Sequence, residues 1–466
     1  MSYKLDLRSL IFILVLVLSA TSAPADNVDD FLQSAMRQQK VPGLALAVMR
    51  DGAVVRVKGY GLANVELGVP VKPETVFQSG SMGKQFTATA IMMLVEEGKI
   101  GLDDRITKYF PTGPGSWKDI TVRRLLTHTS GIKDYTDSDL NLRQDYSEDD
   151  LLKKVESFPL DFKPGEKWSY SNSGYMLLGI LIHKVTGQFY GDFLQERVFK
   201  PLGMNTTRII NEADIIPNRA AGYRLVKGQL KNQEWVSPSL NTTADGSLYF
   251  TVLDLAKWDA ALYTEKVLKY SSLEQMWTPV KLNDGKTYPY GFGWFVHEMN
   301  GHKMLEHDGA WQGFTTSISR YVDDKLTVVA LTNLDSLHSR PSEIVHGVAG
   351  LYVPELTPPP PPKAIEDKEP NVTMLFRNFL SATAQGKADP DMFTRQARKQ
   401  WFPDRVKGWQ HVLEELGEVK SIELLERKEE GGLRGYKYRV NFADRPVNFT
   451  LKLDRENKIA ELETAD

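Results

Sequence analysis

Ser81-Met82-Gly83-Lys84 sets a hydroxyl and an amine three residues apart, ahead of an apolar run at 86–95 that predicts a buried helix. At i and i+3 the two side chains share one face near the helix N-terminus. Burial lowers the proton affinity of a lysine, so Lys84 is suited to take the proton of Ser81 and make it a nucleophile. The helix N-terminus also favours negative charge developing beside the serine. The S-x-x-K pattern alone arises by chance roughly twice in a chain of this composition. Ser130-Gly131-Ile132-Lys133 is a second instance, but it runs into Asp134 and a polar stretch without helical periodicity. Ser81 is therefore the preferred nucleophile.

Two rarer signals accompany it. Tyr170-Ser171-Asn172 is the only Y-x-N in the chain and His307-Asp308-Gly309 the only H-x-G. The first lies in a Ser/Asn/Gly-rich turn before a helical pattern at 175–187, the second just before an alternating strand from Thr315. Serine, amine, phenol, amide and imidazole are thereby expected to converge on one groove between two lobes. The absence of cysteine removes thiolate chemistry, disulfides and thiolate metal sites. His302 and His307 are five apart, which fits neither helical nor zinc-ligand spacing, so no metal and no cofactor are expected. His128 is read as a buried, hydrogen-bonded residue.

The elements that must position these groups follow from periodicity. A helix is expected at 28–39, with Asp29 and Asp30 in its first turn. Strands at 44–49 and 53–57 flank Asp51-Gly52, and strands at 315–322 and 326–331 flank Asp323-Asp324, which makes two hairpins. Helical patterns at 86–98, 175–187 and 251–263 lie between them. The fold class is thus α/β, an antiparallel sheet with an inserted helical lobe. Five consecutive prolines at 358–362 form a stiff extended spacer. Beyond them, a helix at 372–384 and strands marked by Tyr436, Tyr438, Val440, Phe442 and by Val447, Phe449, Leu451, Leu453 predict a small C-terminal α+β domain. Trp401 and Trp409, with Arg398, Lys399 and Arg405, read as a solvated helix face over its core.

The expected organisation is a signal peptide at 1–25, a hydrolase domain at 26–356, a proline-rich linker at 357–370 and an accessory domain at 371–466. The signal rests on Lys4 and Arg8, an apolar run at 10–18 and the site Ala23-Pro24-Ala25. Its apolar run is shorter than the ~20 residues of a membrane helix, so the mature chain is expected to be periplasmic or extracellular without a stable span. A formal charge of -3 offers no field for nucleic acid.

Together the three motifs, in this order, resemble the serine β-lactamase and penicillin-binding-protein superfamily. The similarity is to the branch holding class C β-lactamases, DD-carboxypeptidases, D-aminopeptidases and related esterases. Flanking phrases such as Leu125 through Gly131, Pro201-Leu202-Gly203-Met204 and Tyr290-Gly291-Phe292-Gly293-Trp294 are also similar. The resemblance implies a β-lactamase-like fold in which Ser81 attacks an acyl carbon, Lys84 activates it and Tyr170 passes the proton to the leaving group. It also implies that Asn172 orients the substrate amide, that His307 and Gly309 line the substrate strand, and that the backbone N–H groups of Ser81 and Ala310 form the oxyanion hole. Which of Lys84 and Tyr170 is the base in each half-reaction stays open.

One departure narrows the substrate. Class C β-lactamases usually carry Lys-Thr-Gly where this chain has His307-Asp308-Gly309, and an imidazole beside a carboxylate holds a substrate carboxylate less well than a lysine. A peptidase on D-amino-acid, cell-wall-type peptides or an esterase on small esters therefore ranks above a β-lactamase of weak turnover, and above a non-catalytic scaffold of the same fold. The C-terminal domain weakly resembles a cystatin-like or nuclear-transport-factor-like α+β cone. It is expected to bind a partner or modulate access to the cleft, against the alternative of an inert appendage.

Overall fold

The molecule is described here by a computed structural model covering residues 25–466, apart from 139, 444 and 466. The expected signal segment lies outside these residues, save for its last. Both expected hairpins form. Asp51 and Gly52 adopt left-handed backbone (φ 52° and 73°) between β1 (Gly43–Arg50) and β2 (Ala53–Asn64), a turn whose twist matches the strands it joins. After β3 (Val69–Pro70) the chain leaves the sheet and returns as β4 (Phe295–Met299), β5 (His302–Trp311), β6 (Phe314–Tyr321) and β7 (Leu326–Thr332). These strands make one sheet in the order β4-β5-β6-β7-β1-β2-β3. β1 pairs antiparallel with β7, Ala47 opposite Val329, so the two hairpins meet and the residues between them are inserted.

Both faces of the sheet are covered, which is why β1 reads as a continuous apolar run. Leu44, Leu46 and Val48 pack with Val28 and Leu32 of α1 (Ala25–Gln39) and with Ile344 and Val348 of a helix near the end of the domain. Ala45, Ala47 and Met49 point the other way, into the inserted lobe. That lobe is centred on α2 (Lys84–Glu96), buried from Lys84 to Leu94. A helix buried all round cannot show an amphipathic stripe, so its apolar run was its only signal. Around it stand α3 (Asn172–Thr186), with Ser171 as N-cap and Gly187 (φ 72°) as terminator, and α4 (Val252–Ala261), capped by Thr251. The helix covering the outer face of the sheet is α5 (Pro341–Tyr352).

Residues 357–369 have no regular secondary structure. They lie along the C-terminal sheet, where Arg439 donates to the Pro362 carbonyl (2.8 Å) and the Ile365 N–H donates to the Leu424 carbonyl (2.7 Å). Beyond them α6 (Pro370–Ala384), α7 (Arg395–Trp401) and α8 (Asp404–Leu416) pack on four antiparallel strands. These are β8 (Val419–Glu430), β9 (Leu433–Phe442), β10 (Pro446–Leu453) and β11 (Ile459–Ala465). Tyr436, Tyr438, Val440 and Phe442 all turn into the core, as their alternation predicts. Trp401 corrects the surface reading: it is buried and stacked on Trp409 at 5.5 Å, because α7 and α8 need a large apolar filler between them. The spacer does not hold this domain away from the first. Ser336 donates to Glu415 (2.7 Å), and Leu337 packs against the C-terminal core.

Candidate active site

Ser81 lies one step before the expected helix, in a 3₁₀ turn (Gly80–Gly83) that runs into α2 at Lys84. The three-residue period of such a turn stacks i over i+3, which is the geometry the motif needs. The turn is clamped from two sides. The Ser79 hydroxyl donates to the Gly246 carbonyl (2.6 Å), and the Thr316 hydroxyl of β6 donates to the Ser79 carbonyl (2.7 Å). Gly80 has φ 51°, and a Cβ there would stand 2.4 Å from the Ala310 nitrogen; one on Gly309 would stand 2.0 Å from the Ser79 carbonyl oxygen. Only glycines let the turn approach β5 this closely.

The Lys84 amine is buried and reaches three acceptors: Ser81 Oγ (3.0 Å), Asn172 Oδ1 (2.7 Å) and the Asp245 carbonyl (2.5 Å). Asn172 is the first residue of α3, and its own backbone and side-chain N–H groups both donate to Asp134 Oδ2 (2.7 and 3.0 Å). This fixes the amide with its oxygen toward the lysine. The Tyr170 ring lies 4.8 Å below the Lys84 amine and 4.3 Å from the His128 ring. The Tyr170 hydroxyl is buried without a hydrogen-bond partner among the described residues, with the Ser81 hydroxyl as its polar neighbour. His307, on β5, faces the same space at 6.3 Å from the Tyr170 ring. Its Nδ1 lies 2.6 Å from the Asp308 carbonyl, and its Nε2 3.1 Å from the Tyr290 hydroxyl. Because a carbonyl only accepts, Nδ1 carries the proton, and the neutral ring accepts from Tyr290 at Nε2.

A model of the family described as Beta-lactamase matches residues 28–347. The chain belongs to the beta-lactamase family. Penicillin-binding protein 4* of Bacillus subtilis is 33% identical over 311 residues, a stretch covering 62% of this chain and 68% of that one. Among solved structures, the octameric penicillin-binding protein homologue of Pyrococcus abyssi aligns over 95% of this chain and 99% of its own, with TM-score 0.63 and 25% identity. A D-stereospecific amidohydrolase from Streptomyces is 26% identical with TM-score 0.60, over 71% of this chain and 98% of its own.

As a member of this family, the chain gathers all its sequence-predicted site residues at one place. Ser81, Tyr170, His307, Gly309 and Ala310 line one cleft of about 1420 Å³, and Asn172 shares with Ser81 a smaller pocket of about 130 Å³ beside it. The stretch His307–Trp311 pairs with β6 alone, since β4 stops opposite Glu306, so it offers a free strand edge to the cleft. Ser130, the competing serine, is buried in a turn, where its hydroxyl accepts from the Ile132 N–H (3.2 Å).

Burial dominates the electrostatics. It pulls the Lys84 amine down to about 8, against the opposing pull of the Asp245 and Asp134 carboxylates. Burial, reinforced by the Lys84 charge, takes His307 down to about 3, so it is neutral at any physiological pH. Burial raises the Tyr170 phenol well above its usual range, although the Ser81 hydroxyl acts the other way. His128 is buried as expected, its Nδ1 accepting from the Ser171 N–H (3.1 Å) while its ring packs on Tyr170.

Sequence reasoning missed Asp134, Asp245 and Tyr290 as site residues. Asp134 stands one residue after the discarded serine-lysine pair, and burial raises its carboxyl to about 6. Asp245 contributes its carbonyl to Lys84, while its carboxylate accepts from Tyr135 (2.7 Å). Neither carries a local motif, because each acts by where the fold delivers it. The residues of the far wall carry no motif either. His411, Val412, Glu414 and Glu415 of α8, with Arg445, line it from the C-terminal domain.

Proposed function

We propose that this chain is an exported serine hydrolase that forms an acyl-enzyme on Ser81, acting on D-amino-acid peptides of cell-wall type or on small esters. The observation that carries the reading is the set of partners around Lys84. A neutral amine has two hydrogens and one lone pair. Asn172 Oδ1 and the Asp245 carbonyl can only accept, so they take both hydrogens and leave the lone pair facing the Ser81 hydroxyl, 3.0 Å away. Lys84, lowered to about 8 by burial, then receives the serine proton as Oγ attacks the acyl carbon. Tyr170, whose phenolate burial disfavours, acts as a neutral relay: it accepts a proton from the lysine side and donates its own to the leaving group. The Ser81 and Ala310 N–H groups, held together by the close approach at Gly80 and Gly309, receive the oxyanion.

A neutral His307 and the carboxylate of Asp308 beside it give the substrate strand no cation for a β-lactam carboxylate, which favours peptidase or esterase action over β-lactam turnover. Similarity to a penicillin-binding protein and to a D-stereospecific amidohydrolase supports the same substrate classes. The C-terminal domain, whose α8 walls the cleft, is proposed to modulate access to Ser81. Export, resting on the N-terminal segment, predicts a secreted protein that starts near Asp26 on N-terminal sequencing.

The test is mass spectrometry of the protein after exposure to a fluorophosphonate or a labelled penicillin, followed by a panel of D-alanyl dipeptides, short-chain esters and nitrocefin. One adduct is expected, on Ser81, with dipeptides or esters turned over faster than nitrocefin. An adduct undiminished in Ser81→Ala, or none on the unaltered protein, refutes the reading.

A further inference from the structure

The cleft carries a charged group that the acylation chemistry does not use. Asp308 projects from the free edge of β5, and its side chain is open to the cleft while its neighbours His307 and Gly309 are buried. It stands two residues from Ala310, about 7 Å along an extended strand, and so within reach of a substrate whose carbonyl sits between Ser81 and Ala310. Its surroundings supply hydroxyls and a further acid. Ser317 lies directly opposite on β6 and Ser342 near the start of α5, and both hydroxyls favour the ionised form of Asp308. Glu306, on the same strand face, is already paired with His346 of α5 (2.8 Å).

Two arginines of the cleft are paired elsewhere, while Lys227 lines it without an ion pair among the described residues. Arg224 pairs with Glu234 (2.7 Å) and Arg340 with Glu343 (2.6 Å), whereas burial and the neighbouring Arg340 charge lower the pKa of Arg445, whose Nε has no hydrogen-bond partner among the described residues. Among the described residues no ion pair contains Asp308, although His346, paired with Glu306, lies in its field, so the substrate strand carries a carboxyl without a salt-bridge partner next to the reacting position. Burial by the surrounding protein and the Glu306 charge push its carboxyl up to about 7, against the Ser317 and Ser342 hydroxyls and His346, and a bound cation would lower it.

We propose that Asp308 is a specificity-determining residue that selects substrates bearing a positively charged amine, which it binds in the cleft beside the reacting carbonyl. The proposal rests on the hydrolase reading above and names the substrate class for that site: amino-terminated or basic acyl compounds in preference to carboxylates. The ammonium replaces its hydration with the Asp308 carboxylate and the solvent of the cleft, and an anionic group in the same place meets repulsion from Asp308.

The test compares p-nitrophenyl esters of equal chain length whose acyl tails end in an ammonium, a methyl or a carboxylate. A second set of acetate esters carries the same three groups on the alcohol. Assays run about one unit above the Asp308 value of about 7. In at least one set, kcat/KM should favour the ammonium over the methyl compound by about tenfold, the scale of a hydrogen bond to a charged group, with the carboxylate poorest. Asp308→Asn should bring the ammonium-to-methyl ratio close to one, and Asp308→Lys should make the carboxylate the better substrate. Folding of each variant is checked by thermal denaturation. Absence of any ammonium preference in both sets, or a preference that survives Asp308→Asn, overturns the proposal. Calorimetric titration of Ser81→Ala with hexylammonium against hexanoate asks the same charge question without acylation. Tighter hexylammonium binding that is lost on adding Asp308→Asn supports the proposal even if Ser81 proves unreactive, and equal binding overturns it.

Discussion

The pH dependence of acylation should report the coupling between Lys84 and a carboxylate it never touches. Lys84 must be neutral to accept the serine proton, so kcat/KM should rise with pH and level off above about 8. Asp134 is largely ionised near the Lys84 value, since its own carboxyl titrates at about 6. Its negative charge favours the ammonium form of Lys84, and Asp134→Asn removes that support. Two hydrogen bonds, of 2.7 and 3.0 Å with one amide group between them, put the two charges about 8 Å apart at most. At an effective dielectric of about 20 this separation is worth about 2 kcal/mol, or roughly 1.5 pH units, and water in the open cleft reduces it to about one unit. The acid limb of the variant should therefore fall about one unit below that of the unaltered protein, even though its plateau drops because Asn172 is less firmly held. Initial rates with p-nitrophenyl acetate, taken from about pH 5 to 10, give both limbs. A limb that stays in place, or moves upward, would refute Lys84 as the titrating base.

Further outcomes follow from single contacts. Gly80→Ala places a methyl 2.4 Å from the Ala310 nitrogen at φ 51°, and kcat should fall by about a hundredfold or more as that donor is displaced, with a smaller loss of melting temperature. Arg320→Met leaves Asp259 buried without its 2.7 Å partner, and denaturant titration should show a loss of about 3–5 kcal/mol. Trp401→Ala opens the C-terminal core between Phe393 and Trp409 at a cost of about 3–5 kcal/mol. Because α8 walls the cleft, that variant should also change relative kcat/KM across esters of different size, and identical ratios would argue against a role for the domain in access.

Much of the architecture was legible because its signals are local. Asp51-Gly52 between alternating runs can hardly be other than a tight turn, and the Ser171 cap with Gly187 brackets α3 by side-chain chemistry alone. The alternation at Tyr436 to Phe442 names the buried face of β9 from its period of two. The surface reading of Trp401 went wrong for an equally physical reason. Basic residues flanking an aromatic look the same in sequence whether the ring lies over a core or within one, and here the packing of α7 on α8 drew it inside.

At the active site the division is sharper. Ser81, Lys84, Tyr170, Asn172 and His307 were singled out by residue type, spacing and family resemblance, since the proposed nucleophile, base and relay demand particular functional groups. Which groups surround them was not. Asp134 and Asp245 have no motif, and one reaches Lys84 through an amide on another helix while the other offers only a backbone carbonyl, which every residue possesses. The orientation of the lysine lone pair, the neutrality of His307 and the exposure of Asp308 in a cleft closed by a second domain all depend on burial and on distances between segments far apart in the chain. Desolvation and electrostatic fields are properties of three-dimensional surroundings, so residue order sets which chemistry is available, and tertiary packing decides its protonation states and the charge it accepts in a partner.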